Sequence, residues 1–462
     1  MKINVKVPPA LDSGFMPAAL WHQRYQDKVA DYDTAPEVLI ALTRPDQTGS
    51  LFRTRIIPLG QDSQNLNLRY LERLLKFLLW QRGASKVLLA GCDDLTQQLA
   101  AIYSSKGQRR FDHDFIGQQV YRGSLEILPT TPEEIPTPQE TAIPLGRHLD
   151  GCRIGFDLGG SDRKCAAVID GEVVFSTEII WNPYFEKAPH YHLQEINDSL
   201  VRAAQHLPRV DAIGGSCAGI YVDNEVRAAS LFRGLSPELF ESKARPIFSE
   251  LKEQWDNVPF EVVNDGEVTA LAGSMTMEEN AVLGIAMGTS EAVGYITPEG
   301  NITPMLNELA FAPIDYRPDA PIDEWSGDIG CGVQYLSQQA VARLLPASGL
   351  EVSAELPFAE QLVQVQIAMA QGDQRAAQIY QSLGSYLGYA IAHFANFYQI
   401  RKILLLGRVT SGSGGSLIKT EAEKVLLVEF PNLARQIEIV TPSEQEKRHG
   451  QAVAAASLPP IS

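Results

Sequence analysis

The sequence predicts an α/β protein with a duplicated, two-lobed core and an additional α/β region in front of it. Three observations point there. Apolar runs of strand length alternate with segments of helical period through most of the 462 residues, the pattern of sheets covered by helices. A glycine-rich strand–turn–strand unit occurs twice, as Ile154-Gly-Phe-Asp-Leu-Gly-Gly-Ser161 and as Leu283-Gly-Ile-Ala-Met-Gly-Thr-Ser290. Ser161 and Ser290 stand 129 residues apart, as do Gly171 and Gly300, so the copies run without a gap. Finally, the stretch from Pro129 to Pro144 holds five prolines and no apolar period. Prolines at that density keep a chain extended and lack ladder donors, so 129–149 reads as a linker.

The elements follow in order. In region 1–128, Val38–Leu42 and Leu51–Ile57 read as strands. Leu66–Gln81 reads as a helix with Leu68, Leu71, Leu74, Leu75, Leu78 and Leu79 on one side. Gly83 stops it, Lys86–Leu89 follows as a buried strand, and Asp93–Ser104 as a second helix. Lys106–Arg110 is a basic run best read as a solvated loop. The core spans 150–462, with one lobe at about 150–265, a second at about 266–445, and a closing helix at about 444–458. In each repeat an apolar strand leads into the glycine turn. A second strand follows (Cys165–Ile169, Ala292–Ile296), then a turn (Asp170-Gly171, Glu299-Gly300) and a third strand. The duplication places the two glycine turns facing each other across a cleft.

Composition excludes several classes. Hydrophobic residues at 45% and charged residues at 21% are those of a globular protein. Lys and Arg number 39 against 56 Asp and Glu, a net charge of -17, so no nucleic-acid partner is expected. The five cysteines are scattered without a CxxC pair, which reads as reduced thiols in a cytoplasmic protein. The start, MKINVKVPPA, lacks the apolar core of a signal peptide. The longest uncharged stretch, Ala376–Ile400, carries too many polar side chains to span a bilayer and reads as a buried helix. No membrane association is expected.

The turns carry the chemistry. Gly159 and Gly160 permit close backbone approach to phosphate oxygens, Ser161 adds a hydroxyl donor and Lys164 a charge. Asp157 can hold a magnesium ion through water. Gly288, Thr289 and Ser290 would grip a second phosphate. The same residues also suit ordinary hairpins; their recurrence in register favours phosphate. A third glycine site, Gly407-Arg408 through Gly412 to Gly415, follows the strand Lys402–Leu406 and opens a helix, which suits a nucleotide's base or ribose. Asn264-Asp265 ends the apolar strand Val262-Val263 where a helix begins. An aspartate there can accept a proton from a hydroxyl, and either residue can equally cap the helix. No Walker A loop, GxGxxG or HExxH sequence is present.

With these motifs assembled, the chain from Asp150 to Pro459 resembles the ROK family (repressor, open reading frame, kinase) of the actin-like ATPase superfamily. The resemblance implies two ribonuclease H-like lobes. Asp157–Ser161 resembles the first phosphate motif, Gly288–Ser290 the second, and Gly407-Arg408-Val409 the adenosine motif. Asn264-Asp265 resembles the pair whose aspartate is the general base of sugar phosphorylation. The resemblance makes Gly215, Ser216 and Gly219 a substrate loop, and adds Asn264 and Glu308 to the substrate site. His449–Ala456 is similar to the closing helix.

The departures concern zinc and sugar. Phe311, Glu324 and Ser326 stand at three of the four zinc-ligand positions, and only Cys331 remains. A lone thiolate cannot hold tetrahedral zinc, so no zinc is expected. Val333 stands where a sugar-binding glutamate is usual, with Asp328 or Gln334 as substitutes. The resemblance therefore implies a kinase using ATP and Mg2+ to phosphorylate a hydroxyl of a sugar or sugar-like small molecule, with a homodimer as the one further partner envisaged. The alternatives are a non-catalytic sugar-sensing regulator, although no helix-turn-helix precedes the core, and an ATPase or scaffold with a degenerate substrate site.

Overall fold

The computed structural model describes residues 1–60, 63–139, 145–441 and 444–461. The first sheet holds β1 (Glu37–Thr43), β2 (Gly49–Arg55), β3 (Lys86–Ala90) and β4 (Glu126–Thr130) in the order β2-β1-β3-β4. The strands expected at 38–42 and 51–57 are β1 and β2, paired antiparallel; β3 pairs antiparallel with β1 and parallel with β4. The leucine-rich helix runs Gln64–Arg82 and buries Leu71, Leu74, Leu75, Leu78, Leu79 and Trp80. It ends at Gly83, whose φ of 72° combined with ψ of 144° lies outside the left-handed region open to other residues.

The proline-rich segment begins as structure. Pro129 lies inside β4, which as an edge strand tolerates its missing N–H. Pro132–Glu134 forms a capped 3₁₀ turn, and Gln139 bridges back to Gly49. Residues 140–144 of the expected linker lie outside the described residues.

The chain divides into two compact units. The first contains Met1–Thr141, Ile285–Val293 and Met305–Ile439; the second contains Ala142–Gly284, Gly294–Pro304 and Val440–Ser462. Region 1–128, expected as a domain by itself, thus shares a unit with much of the expected second lobe. The link is dense: Pro17 bridges Asp315, the Asp12 carboxylate meets Arg317 at 2.6 Å and Arg343 at 3.2 Å, and His22 hydrogen-bonds Tyr316. The helix from Asp265, expected to open the second lobe, belongs to the second unit.

The second unit is built on β5 (Cys152–Leu158), β6 (Asp162–Ile169), β7 (Glu172–Ile180), β8 (Ala212–Cys217) and β11 (Phe260–Asn264), ordered β11-β8-β5-β6-β7. β5, β8 and β11 run parallel, while β5, β6 and β7 form an antiparallel meander. A small ribbon of β9 (Ile220–Val222) and β10 (Glu225–Ala228) follows β8. Helices Pro189–Ala204 and Ile247–Gln254 help enclose a core of Ile154, Phe156, Ile196, Leu200, Phe248 and Phe260. The closing helix Glu444–Ala456 packs on β5 and β8 backbone to backbone. A methyl at Gly155 would collide with the Ala452 carbonyl, and one at Gly214 with that of Ala455. Gly214→Ala is therefore expected to destabilise the second unit by at least about 2 kcal/mol, read as a lowered midpoint in urea unfolding.

The chain enters the first unit within β12 (Val282–Met287) and leaves it within β13 (Glu291–Ile296); these strands join β14 (Lys402–Leu406) and β15 (Glu438–Val440) in the order β13-β12-β14-β15. The repeat is reproduced up to this point. The third strand expected after Gly300 is reduced to one bridge between Ile296 and Ile302. The uncharged stretch forms the buried helix Gln374–Phe394, packed on Gly412–Glu429. Among the described residues, no helix is long and apolar enough to cross a membrane.

Candidate active site

In the second unit the parallel strands align the chemistry at their carboxyl ends, where open α/β sheets bind ligands. Asp157 of β5 stands opposite Ser216 of β8, and Cys217 opposite Asn264 of β11. The Ser216 hydroxyl donates to Asp157 Oδ1 at 2.6 Å. Lys164 Nζ lies 3.6 Å from Asp157 Oδ2 and 3.1 Å from Asp162 Oδ1, so its charge is balanced by two carboxylates. Burial pushes the Asp157 carboxyl up, and the Ser216 hydroxyl and Lys164 ammonium draw it back.

The capping role is assigned to one residue of the pair. Asn264 is the cap: its Oδ1 accepts the Gly266 N–H at 2.7 Å, and its Nδ2 donates to the Gly219 carbonyl at 2.7 Å. Gly219 itself takes a φ of 131°. Asp265 opens the helix Asp265–Met277, partly buried, with its carboxyl pushed up to about 6 by burial and then by the Asp157 charge.

The first glycine turn is a closed hairpin. The Gly159 N–H donates to the Asp162 carbonyl at 2.9 Å, and the Gly159 carbonyl accepts Trp181 Nε1 at 2.8 Å. The Tyr184 ring covers Gly160, leaving no room for a β-carbon. Ser161 is exposed, its hydroxyl donating to Asp162 at 2.9 Å.

In the first unit the second turn closes similarly. The Gly288 N–H donates to the Ser290 carbonyl at 2.9 Å, and the Gly288 carbonyl accepts the Gln338 amide at 2.9 Å; Thr289 lies between. Gly407, with φ of 94°, lies so close to the Met287 backbone that a β-carbon would overlap it. Arg408 is exposed and its carbonyl accepts Gln366 Nε2 at 2.9 Å, while Gly412, at φ of 70°, opens the helix Gly412–Glu429. Glu308 is partly buried and precedes the 3₁₀ turn Leu309–Phe311.

A family model described as the ROK family matches residues 153–458. The chain belongs to the ROK family. Solved structures of the same fold include a ROK family transcriptional regulator described as a homolog of the E. coli Mlc protein, at 21% identity and TM-score 0.53, the alignment covering 67% of this chain and 78% of that one. The ROK hexokinase from Thermus thermophilus is 17% identical at TM-score 0.52, covering 66% and 97%. No curated protein matches the chain.

Within this ROK chain three expected site residues have other employment. Gly215 is buried in β8 against the Phe156 ring, where any side chain would overlap it; it is a packing glycine. Ser216, also fully buried in β8, orients Asp157. Asp328 is 4% exposed and held by Arg73, Lys76 and Arg109, so its carboxylate faces cations of the chain. Gln334, the other residue expected to replace the glutamate, is buried with its amide on Gln339.

The positions of the family's zinc ligands do not fit that metal. Phe311 packs at a tilt among Trp80, Phe111 and Phe115, Glu324 is exposed, and Ser326 bonds Asp323 through both its amide and hydroxyl. Burial pushes the Cys331 thiol up to about 12, away from the thiolate that zinc requires. Among the described residues no three His, Cys, Asp or Glu side chains are grouped to hold a metal.

Sequence reasoning passed over Glu291, the first residue of β13. It is 3% exposed, neither carboxyl oxygen has a hydrogen-bond partner among the described residues, and burial followed by the Glu308 charge pushes it up to about 8. Its counterpart in the first repeat, Asp162, has Lys164 beside it; the residue equivalent to Lys164 here is Val293. That offset was the available signal.

Proposed function

We propose that this ROK protein transfers the γ-phosphoryl group of ATP to a hydroxyl of a sugar or sugar-like molecule, with Asp265 as general base. The observation that carries the reading is Asp265 itself. Asn264 takes the capping role, and the Asp265 carboxyl, raised to about 6, is left at the strand ends beside Asp157. A base with that affinity is ionised at neutral pH and still accepts a proton readily. The transfer needs little covalent participation from the protein, so positioning and charge neutralisation supply most of the rate.

The other residues take roles in proportion to their placement. Asp157, buried and held by Ser216, suits a water-bridged Mg2+, which when bound would neutralise phosphate charge; Lys164 and Asp162 stand beside it. Gly159, Gly160 and Ser161 on one hand, and Gly288, Thr289 and Ser290 on the other, offer small-residue backbone to phosphate oxygens. Gly407, Arg408 and Gly412 suit the nucleoside portion. Asn264, Gly219 and Glu308 remain the substrate contacts.

The test is a panel of hexoses, amino sugars and polyols incubated with ATP and the full chain, with phosphorylated product read by mass spectrometry. The expected result is one or a few products formed stoichiometrically with ADP. Sugar binding by calorimetry without any product would establish the second reading, a sugar-sensing regulator, which Val333 in place of the usual sugar-binding glutamate favours. ADP formation without product would establish a degenerate ATPase.

A further inference from the structure

We infer that the amino-terminal region of the first unit does the positioning work for the segment 307–334, and through it sets Glu308, in the place where a metal would otherwise hold this part of the chain. The inference about Glu308 rests on its proposed role as a substrate contact; the bracing of the segment does not.

Three kinds of contact converge on the segment from the helix Gln64–Arg82 and from residues 109–115. The first is backbone. The Glu308 amide donates to the Trp80 carbonyl at 3.0 Å, and the Asn307 amide to the Gln81 carbonyl at 2.9 Å. Carbonyls in the last turn of a helix have no partner within it, so they are available to capture a passing segment. Asn307 adopts a φ of 50°, and its side chain accepts from Tyr398, so this corner is held on both sides.

The second is ionic. Asp328 lies 3.1 Å from Arg73 Nη1 and 3.2 Å from Lys76 Nζ, and also pairs with Arg109. Lys76 meets Asp112 at 2.8 Å, and Arg73 and Arg109 each meet Glu72 at 2.6 Å. Three cations thus face three carboxylates in a buried cluster. Neutrality matters there, because removing one member strands a desolvated charge, whereas the closed set is tolerated. Trp80 Nε1 donates to Asp112 at 2.6 Å, and the Ile329 amide to Asp328 at 2.8 Å, so the cluster ties the helix to the backbone after Asp328.

The third is aromatic. Phe311 lies with ring centroids 4.4 Å from Trp80, 5.4 Å from Phe111 and 6.2 Å from Phe115. A phenyl ring supplies no ligand atom to a metal and is here the keystone of an apolar cluster. Backbone, charge and ring contacts therefore fix the segment at Glu308, Phe311 and Asp328, three points spread along it. Lys76, Trp80 and Asp328 are positioning residues in this scheme.

The test uses full-length protein and hydrogen exchange followed by mass spectrometry. In Asp328→Asn, peptides covering 305–334 are expected to exchange at least tenfold faster than in the wild type, while peptides of β5 and β8 keep their protection. Should that variant not fold, Phe311→Leu keeps the charges and removes the ring, with the same expectation. Unchanged protection of 305–334 in either folded variant overturns the inference. So does metal analysis finding stoichiometric zinc whose chelation loosens 305–334 in the wild type. Where a phosphorylated sugar is known, the KM for it rises several-fold with the KM for ATP unmoved. Where the wild type phosphorylates nothing, the kinase reading fails and the exchange data still decide the brace.

Discussion

Asp265→Asn is expected to lower kcat by roughly 10²–10⁴-fold while leaving ATP affinity unchanged. The substitution keeps size and polarity and leaves the Asn264 cap untouched, since the bond to the Gly266 amide comes from residue 264. What it removes is the proton acceptor. The wild-type pH profile carries the same information independently. The base works ionised, and its carboxyl is raised to about 6 by burial and by Asp157. So kcat/KM should fall about tenfold per unit as pH drops below about 6, and be level above it. Single-turnover assays of variant and wild type, with nucleotide affinity measured by calorimetry, check the first statement. A pH series on the wild type checks the second. Turnover near wild type in Asp265→Asn, or a profile flat through pH 6, would rule out Asp265 as the base.

Much of the fold was legible because it is written in local periods. Val38–Leu42, Leu66–Gln81 and Lys402–Leu406 appear at or near the expected bounds, since buried strands and one-sided helices leave regular apolar spacing. The helix Ala18–Ala30 went unread although Ala18, Trp21, Tyr25 and Val29 recur at helical spacing, because that stripe holds a single branched aliphatic residue and a histidine is buried beside it. Long-range partnerships were opaque for a different reason. Asp328 reads as a free acid in sequence, and nothing local announces Arg73, Lys76 or Arg109 as its partners. Glycines were ambiguous in kind. Gly215 beside the Phe156 ring and Gly219 at a positive φ look alike in sequence, yet one makes room for packing and the other permits a turn. The paired Asn264-Asp265 could be located from sequence, but the cap is marked only by Asn264 Oδ1 accepting the Gly266 N–H.

Glu291→Gln is expected to stabilise the protein, and to do so in a pH-dependent way that exposes why. The wild-type carboxyl is buried with both oxygens lacking hydrogen-bond partners among the described residues, and Glu308 adds a like charge nearby. Burial and that charge raise it from the model-peptide value of 4.5 to about 8. Below pH 4.5 it is protonated in folded and unfolded chains alike, and contributes nothing to the pH dependence. Between 4.5 and 8 the unfolded chain releases the proton while the folded chain retains it, so stability falls as pH rises. Above 8 the penalty is complete, on the order of a few kcal/mol. Glutamine has no proton to lose and escapes the penalty, at the cost of burying an amide in similar surroundings. The Tm difference between variant and wild type should therefore be small at pH 5 and grow to several degrees at pH 8, in scans at matched ionic strength. A difference that is constant across that range would mean Glu291 is ionised in the folded chain and has found a cation. The same titration bears on the second glycine turn, because Glu291 directly follows Ser290. Deprotonation would set a negative charge one residue beyond the backbone proposed to receive phosphate, and like charges that close oppose each other. Nucleotide affinity in the wild type is accordingly expected to weaken as pH rises through about 8, and in Glu291→Gln to stay level.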